Sequence, residues 1–377
     1  MRRFVAGILL ILSCHGLTVV VPALSATGTE EIKGASDQLE QLMKMGNYED
    51  ALSAAETLVR LSREYFGMDD PRTAQALMEY ADVCEKLGKT DEGERALLEA
   101  LRIAERAFGK ESHPAAVVLN SLGEYYKQSG RYNESESLLK RAVAIHEKLF
   151  GLENEQAVIC LNNLGELYKA THNYTKAEPL LKKALQVAEK VLGLENDLTI
   201  KFLSNLGLLF EAEDKYVEAE SLLQRALRIR LKVLGPEHPD TAESLDNLAL
   251  LYVAKAKYVK AEPLLQQALQ ILEKALGPEH PRTATSLDAL GSLYQESGKY
   301  AEAEPLLQGA LQIREKTLGP VSLDTSTSLA NLGELYRAMG EYAKAEPLFE
   351  RALDVAQKVL GPEHPDTAWI LDDFSGV

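Results

Sequence analysis

The sequence predicts an all-α solenoid, a single elongated stack of antiparallel helix pairs, and two observations predict it. The first is a fixed step. A turn residue followed two places later by an aromatic recurs every 42 residues, at Gly46, Gly88, Gly130, His172, Asp214, Ala256, Gly298 and Gly340. Tyr48, Tyr132, Tyr174, Tyr216, Tyr258, Tyr300 and Tyr342 keep that register, Thr90 is the one lapse, and no residue is inserted or lost across eight periods. The second is that each period holds two runs of apolar residues at three- and four-residue steps, separated by a short polar turn. A unit of this kind covers its apolar faces only against its neighbours, so an insertion would disturb a stacked interface. Function is therefore expected on the surface of the stack.

The first 26 residues are of another kind. Arg2 and Arg3 precede the apolar runs Phe4 to Leu12 and Leu17 to Val21, and Pro22-Ala23-Leu24-Ser25-Ala26 closes the segment. A positive start, an apolar middle and small residues at the end have the layout of a secretory signal, cleaved after Ser25 or Ala26. Two alternatives stay open: residues 4–24 as an uncleaved membrane anchor, weakened by His15 and Gly16, and a short lipoprotein-like signal at Ile11-Leu12-Ser13-Cys14.

Residues 158 to 199 serve as the type unit. Leu161, Leu164, Leu167 and Tyr168 share one face of a first helix, A, which ends in the turn Thr171-His172-Asn173. Ala177, Leu180, Leu181, Ala184, Ala188, Val191 and Leu192 then form the apolar face of a second helix, B, of about 18 residues, stopped by Gly193. Prolines 179, 263, 305 and 347 follow closely behind the turn and are expected in the first turn of helix B, where amides have no intrahelical acceptor to lose. Leu234-Gly235-Pro236-Glu237-His238-Pro239-Asp240-Thr241-Ala242 links one unit to the next, nearly unchanged at 276–284 and 360–368. Its Gly stops one helix, its Pro prevents continuation, and its Asp or Thr is expected to cap the next. Small residues recur at Gly123, Gly165, Gly207, Ala249, Gly291 and Gly333 in helix A and at Ala177, Ala219, Ala261, Ala303 and Ala345 in helix B. A mid-helix glycine costs about 1 kcal/mol relative to alanine, which close helix approach would offset.

Acidic residues outnumber basic ones 57 to 41, and loss of the leader would leave 57 against 39. This balance argues against nucleic acid, whose phosphates reward a basic stripe, and against anionic lipid, while a basic protein partner remains compatible. Membrane association is expected only if the leader stays as an anchor. Cys84 and Cys160 fall at packing positions two units apart, about 20 Å at roughly 10 Å per helix, too far for a disulfide.

Asn-Leu-Gly-Glu-Leu-Tyr at 163 to 168, followed at fixed spacing by Ala177, Leu181 and Ala184, resembles a tetratricopeptide repeat. The 42-residue length and the Leu-Gly-Pro-Glu-His-Pro-Asp-Thr-Ala link resemble the longer form in kinesin light chains and many bacterial proteins. The resemblance implies a right-handed superhelix whose concave side is lined by helix A. It divides the chain into a signal peptide (1–26), a degenerate N-terminal capping repeat (27–67), seven repeats (68–361) and a truncated C-terminal capping helix (362–377). No heptad coiled coil precedes the repeats, so motor attachment does not transfer.

In the resembled family an asparagine before the Leu-Gly or Leu-Ala pair bonds the backbone of a bound peptide, which makes Asn163, Asn205, Asn247 and Asn331 the candidate peptide-binding residues. Amides donate and accept, so a row of them can hold an extended chain, or simply bond the neighbouring helix. Ser121 and Ala289 interrupt the row. Glu79, Asp82 and Glu85 form an acidic strip at helical spacing, and Lys127, Lys169 and Arg337 bring positive charge further along. The recurrent His238, His280 and His364 read as link geometry, since linkers a helix-pair apart cannot share a zinc ion. No nucleophile stands beside a base, and no glycine loop could cradle phosphate. The expectation is an exported scaffold or adaptor that binds a protein or extended peptide, without catalysis, metal, cofactor or small-molecule substrate. A structural envelope subunit docking through its convex face or ends is the alternative. The lone Trp369 is expected to cover the end of the core.

Overall fold

A computed structural model describes residues 26–362 and 364–375, so the segment expected to be a leader, 1–26, lies outside the described residues except for Ala26. The chain divides into two compact units, one up to Tyr125 and one from Tyr126 onward. The first holds α1 (Ala26–Lys44), α2 (Tyr48–Phe66), α3 (Pro71–Lys86), α4 (Thr90–Phe108) and most of α5 (His113–Gln128). The second holds α6 (Tyr132–Phe150), α7 (Glu155–Ala170), α8 (Tyr174–Val191), α9 (Asp197–Ala212), α10 (Tyr216–Val233) and α11 (Pro239–Ala254). It continues through α12 (Tyr258–Leu276), α13 (Pro281–Glu296), α14 (Tyr300–Thr317), α15 (Leu323–Ala338), α16 (Tyr342–Val359) and the short α17 (Pro365–Ser375). There is no strand among the described residues. From α3 to α16 the odd-numbered helices are the A helices, all of 16 residues, and the even-numbered are the B helices, of 18 or 19.

Each A–B turn is closed by backbone bonds. In the type unit Asn173 N–H donates to Tyr168 O at 2.8 Å and His172 N–H to Lys169 O at 2.9 Å, which satisfies carbonyls that the end of α7 would leave orphaned. The residue at the apex must adopt positive φ. Glycine does so freely, but His172, Asp214 and Ala256 are held there at φ 54°, 58° and 50°.

The linkers have their own device. A buried threonine donates its hydroxyl to the carbonyl of the helix-stopping glycine six residues earlier, as in Thr199 to Gly193, Thr241 to Gly235 and Thr325 to Gly319, each at 2.8 Å. The next helix is capped by the residue three before that threonine position, which Ala157 fills in the unit capped by Asn154. Asp70, Asn154 and Asn196 cap through side-chain oxygens, and His238, His280 and His364 cap through Nδ1, which accepts from the amide two residues on. Histidine takes the place of the expected Asp or Thr cap because α11 and α13 begin at the proline that follows it, which puts Asp240 and Thr241 inside the first turn.

The prolines also sit deeper than expected. Pro179 is the sixth residue of α8, and Pro263, Pro305 and Pro347 occupy the same place in α12, α14 and α16. Each removes one i to i−4 bond. The residues whose carbonyls are left over, Thr175, Val259, Ala301 and Ala343, are all exposed, so water can take the bond.

Small residues mark close helix approach. A Cβ built on Gly165 would lie 2.6 Å from Leu181, on Gly207 2.9 Å from Leu223 and on Gly291 2.7 Å from Leu307. Glycine in helix A and the large side chain sixteen places later in helix B therefore fill one space between them. Successive pairs are tied by a ladder in which the A-helix tyrosine donates to a glutamate on the preceding B helix. Tyr168 reaches Glu136 at 2.6 Å, Tyr252 reaches Glu220 at 2.9 Å and Tyr336 reaches Glu304 at 2.7 Å. A continuous apolar core of the second unit runs from Leu139 to Leu293.

The second unit also curls back on itself. His364, in its last linker, places Nε2 3.0 Å from the Tyr132 hydroxyl. Since Nδ1 of His364 accepts from Asp366 N–H, Nε2 carries the proton and donates to the tyrosine. At the C-terminal end Ile370 is buried and Phe374 stacks on Phe349 with ring centroids 6.4 Å apart, whereas Trp369 is half exposed. The expectation that Trp369 covers the core fails on helical phase: Thr367, Ile370 and Phe374 share the inward face, and Trp369 lies one step off it.

Candidate functional site

In the second unit successive A helices touch one another, α7 with α9, α9 with α11, α11 with α13 and α13 with α15. No two successive B helices are in comparable contact among the described residues. Long charged side chains bridge them instead, as in Arg225 with Glu189 at 2.7 Å and Arg351 with Glu315 at 2.5 Å. Helices that approach on one side and splay on the other curve toward the approaching side, so the A helices form the inner face.

The four candidate asparagines stand on that face, all half-buried. Asn205 donates Nδ2 to Asn162 Oδ1 on the preceding A helix at 3.1 Å. Asn331 lies near the Asp288 carboxyl, also on the preceding A helix, and opposes its upward shift. Asn163 accepts from Asn162 Nδ2 at 3.4 Å. Asn247, whose counterpart on the preceding helix is Ser204, makes no hydrogen bond among the described residues. The row is thus partly engaged in holding A helices to each other, with Asn247 turned to no protein group.

The register one residue earlier went unnoticed in the sequence. Ser286 donates to Asp246 at 2.8 Å and Ser328 to Asp288 at 2.7 Å, each across one unit. Arg314, reaching in from α14, places its guanidinium 2.6 Å from Asp288 with both side chains buried, and donates to the Asp324 carbonyl at 2.8 Å. Burial pushes the Asp246 carboxyl up to about 7 and raises Asp288 as well, although Arg314, Ser328 and Asn331 oppose the shift of the latter. The available signal was Arg230 and Arg314 at a B-helix position that holds Ala188, Leu272 and Ala356 in other units.

Two of the three positive charges expected to colour the face, Lys169 and Arg337, are matched at home. Lys169 pairs with Glu166 at 2.8 Å and Arg337 with Glu334 at 2.5 Å. In the first unit the acidic strip lies along α3. Burial raises Glu79, and burial with the neighbouring Glu85 charge brings Asp82 up to about 7. The two described thiols, Cys84 and Cys160, are buried and in no disulfide, and burial lifts Cys84 to about 11, which disfavours its thiolate. Among the described residues no cluster of His, Cys, Asp and Glu could hold a metal ion, and no helix is long and apolar enough to cross a membrane.

The chain is similar to several proteins of known structure. Chains from Podosopora anserina, described as kinesin light chain with nearly identical TPR-like repeats, share 30% identity over 53% of this chain and 94% of theirs, with TM-scores of 0.45 and 0.44. BtubC (BKLC) from P. vanneervenii shares 22% identity over 67% of this chain and 94% of its own, with a TM-score of 0.49. A Rap protein solved in complex with competence and sporulation factor matches 92% of this chain and 97% of its own, at 13% identity and a TM-score of 0.58, a likeness of fold. No curated protein sequence matches the chain. The tetratricopeptide repeat profile matches residues 40–106, 72–148, 114–190, 156–232, 198–274, 254–316, 289–355 and 324–377. A profile met in overlapping windows from 40 to 377, on helix pairs of fixed 42-residue step, places the chain in the tetratricopeptide repeat family.

Proposed function

We propose that this chain is an exported, non-catalytic scaffold that holds an extended peptide, or a peptide-like segment of a protein, across the A-helix face of its repeats. One observation supports this reading above the others: Asn163, Asn205, Asn247 and Asn331 recur at one register on the inner face, and Asn247 keeps both donor and acceptor for a ligand. A preformed surface avoids the ordering cost that a flexible one adds on binding. The Rap relative, complexed with competence and sporulation factor, supports a ligand-holding use of this fold. The leader at 1–26 supports export, to a periplasm or to the medium, and protein recovered from the cytosol with the leader intact would contradict it.

The structural-subunit reading has its own support, because Asn205 already bonds Asn162 on the preceding A helix. Replacing Asn163, Asn205, Asn247 and Asn331 together by alanine separates the two. Loss of partner recovery in a pull-down, with an unchanged circular dichroism spectrum, is expected for peptide holding. Undiminished recovery favours docking through the B helices or the ends.

A further inference from the structure

The residues of the inner face fall in rows along each A helix at steps of four, three and four. On α9 these are Lys201, Asn205, Leu208 and Ala212, and on α11 Glu243, Asn247, Leu250 and Ala254. Across the stack the third row reads Glu166, Leu208, Leu250, Ser292 and Glu334. Its outer members are neutralised on their own helices by Lys169 and Arg337. Leu250 is 44% exposed, Leu208 and Val253 are half-buried, and Ala212 and Ala254 are exposed beside them. A single exposed leucine needs no explanation, but two at one register on touching helices, one turn from the asparagines, form a contiguous apolar floor.

We propose that Leu208, Leu250 and Val253 form an apolar subsite that receives two aliphatic side chains of the bound peptide, three residues apart. This rests on the peptide-holding reading above and adds the chemistry of the ligand. Spacing and charge carry it. Neighbouring helices lie about 10 Å apart, and a polyproline II segment, with three residues per turn and a rise of about 3.1 Å, places residues i and i+3 on one face about 9 Å apart. Acidic groups beside the floor are already met by the protein: Glu243 is paired with Arg230 at 2.9 Å, and the rise that burial gives Glu211 is opposed by the Lys169 charge. A charged side chain placed over the leucines would lose hydration against an apolar surface. The acidic whole-molecule balance can attract a basic partner from a distance, but the segment in contact is apolar.

The test is fluorescence anisotropy with the purified chain and three dye-labelled decapeptides that differ only at the centre: Leu-Ser-Pro-Leu, Lys-Ser-Pro-Lys, and a form with the leucines two apart. The Leu-Ser-Pro-Leu peptide is expected to bind at least about tenfold more tightly than the other two, the scale set by burying an aliphatic side chain. Leu250→Glu should remove that preference and Leu250→Met should keep it, with the thermal melt of both unchanged. Equal affinity for the three peptides, or a Leu250→Glu variant that binds as the parent does, overturns the subsite. If binding in that case is still abolished by the fourfold asparagine-to-alanine change, the peptide-holding reading survives without it. Failure of every peptide to bind overturns both.

Discussion

At the scale of single residues, this chain stores small costs at fixed registers. Ala256 adopts φ 50° at a turn where most units have glycine, a conformation that costs an alanine on the order of 1 kcal/mol. Ala256→Gly is therefore expected to stabilise the protein by up to about 0.6 kcal/mol, after allowing for the freer unfolded chain. A higher urea midpoint checks this, and a lower one would mean that the alanine methyl makes a contact worth more than the strain. Asp246 carries a second cost. Its folded carboxyl titrates near 7, above the ordinary 3.8, so the folded state holds more protons than the unfolded state across that window and stability falls as pH rises through it. Asp246→Asn should raise the urea midpoint at pH 8 and leave it nearly unchanged at pH 4. An equal effect at both pH values would show that ionisation is not the cause. Only one of the two states was legible in the sequence. The strain at Ala256 follows from a register that glycine normally fills, but the burial of Asp246 depends on α13, whose Ser286 lies 40 residues away.

The helices and their junctions were largely readable, because apolar periodicity of 3.6 and a glycine at each stop fix an α-helical pair almost without reference to the rest of the chain. The misreadings fell where two local signals compete. Pro179 lies inside α8 because its unit can leave one exposed carbonyl to water, and a sequence rule that places proline in the first turn does not see solvent. His364 was read as part of the link, but its task of capping α17 through Nδ1 while donating from Nε2 to Tyr132 joins residues 232 apart. That arrangement makes α17 sensitive to acid. Burial holds the His364 imidazole below its usual 6.5, against the opposing charge of Asp366, so its contribution is complete above that value and is lost as pH falls through the folded pKa. Trp369, the one tryptophan, sits on α17 and reports on it. Its fluorescence midpoint in urea is expected to drop between pH 7.5 and pH 5, and the drop should be smaller in His364→Asn, since asparagine caps α7 and α9 without titrating. The same drop in the variant would assign the effect to another group.

For the molecule as a whole, the repeat decides where binding can occur. Most repeats of the second unit use the B helix, the linker and much of the A helix to hold their neighbours, through the tyrosine–glutamate ladder, the threonine–glycine closures and the glycine–leucine contacts. What remains for a ligand on the inner face is a set of rows, and the asparagine row was found from the family resemblance alone. Its internal bonding was hidden, since Asn205 bonds Asn162 at a sequence distance of 43 and nothing local to Asn205 announces it. The apolar pair Leu208 and Leu250 was present in the sequence but unremarked, because at those positions leucine reads equally well as core.

The most direct measurement of where this protein acts is site-specific photocrosslinking in the native cell. A benzophenone amino acid placed at Asn247, on the inner A face, is compared with one at the exposed Gln266 on the B helix of the same repeat. Crosslinks to a defined polypeptide from position 247 and none from 266 are the expected result. Crosslinks from 266 alone would contradict peptide holding on the A face and assign the interaction to the outer surface.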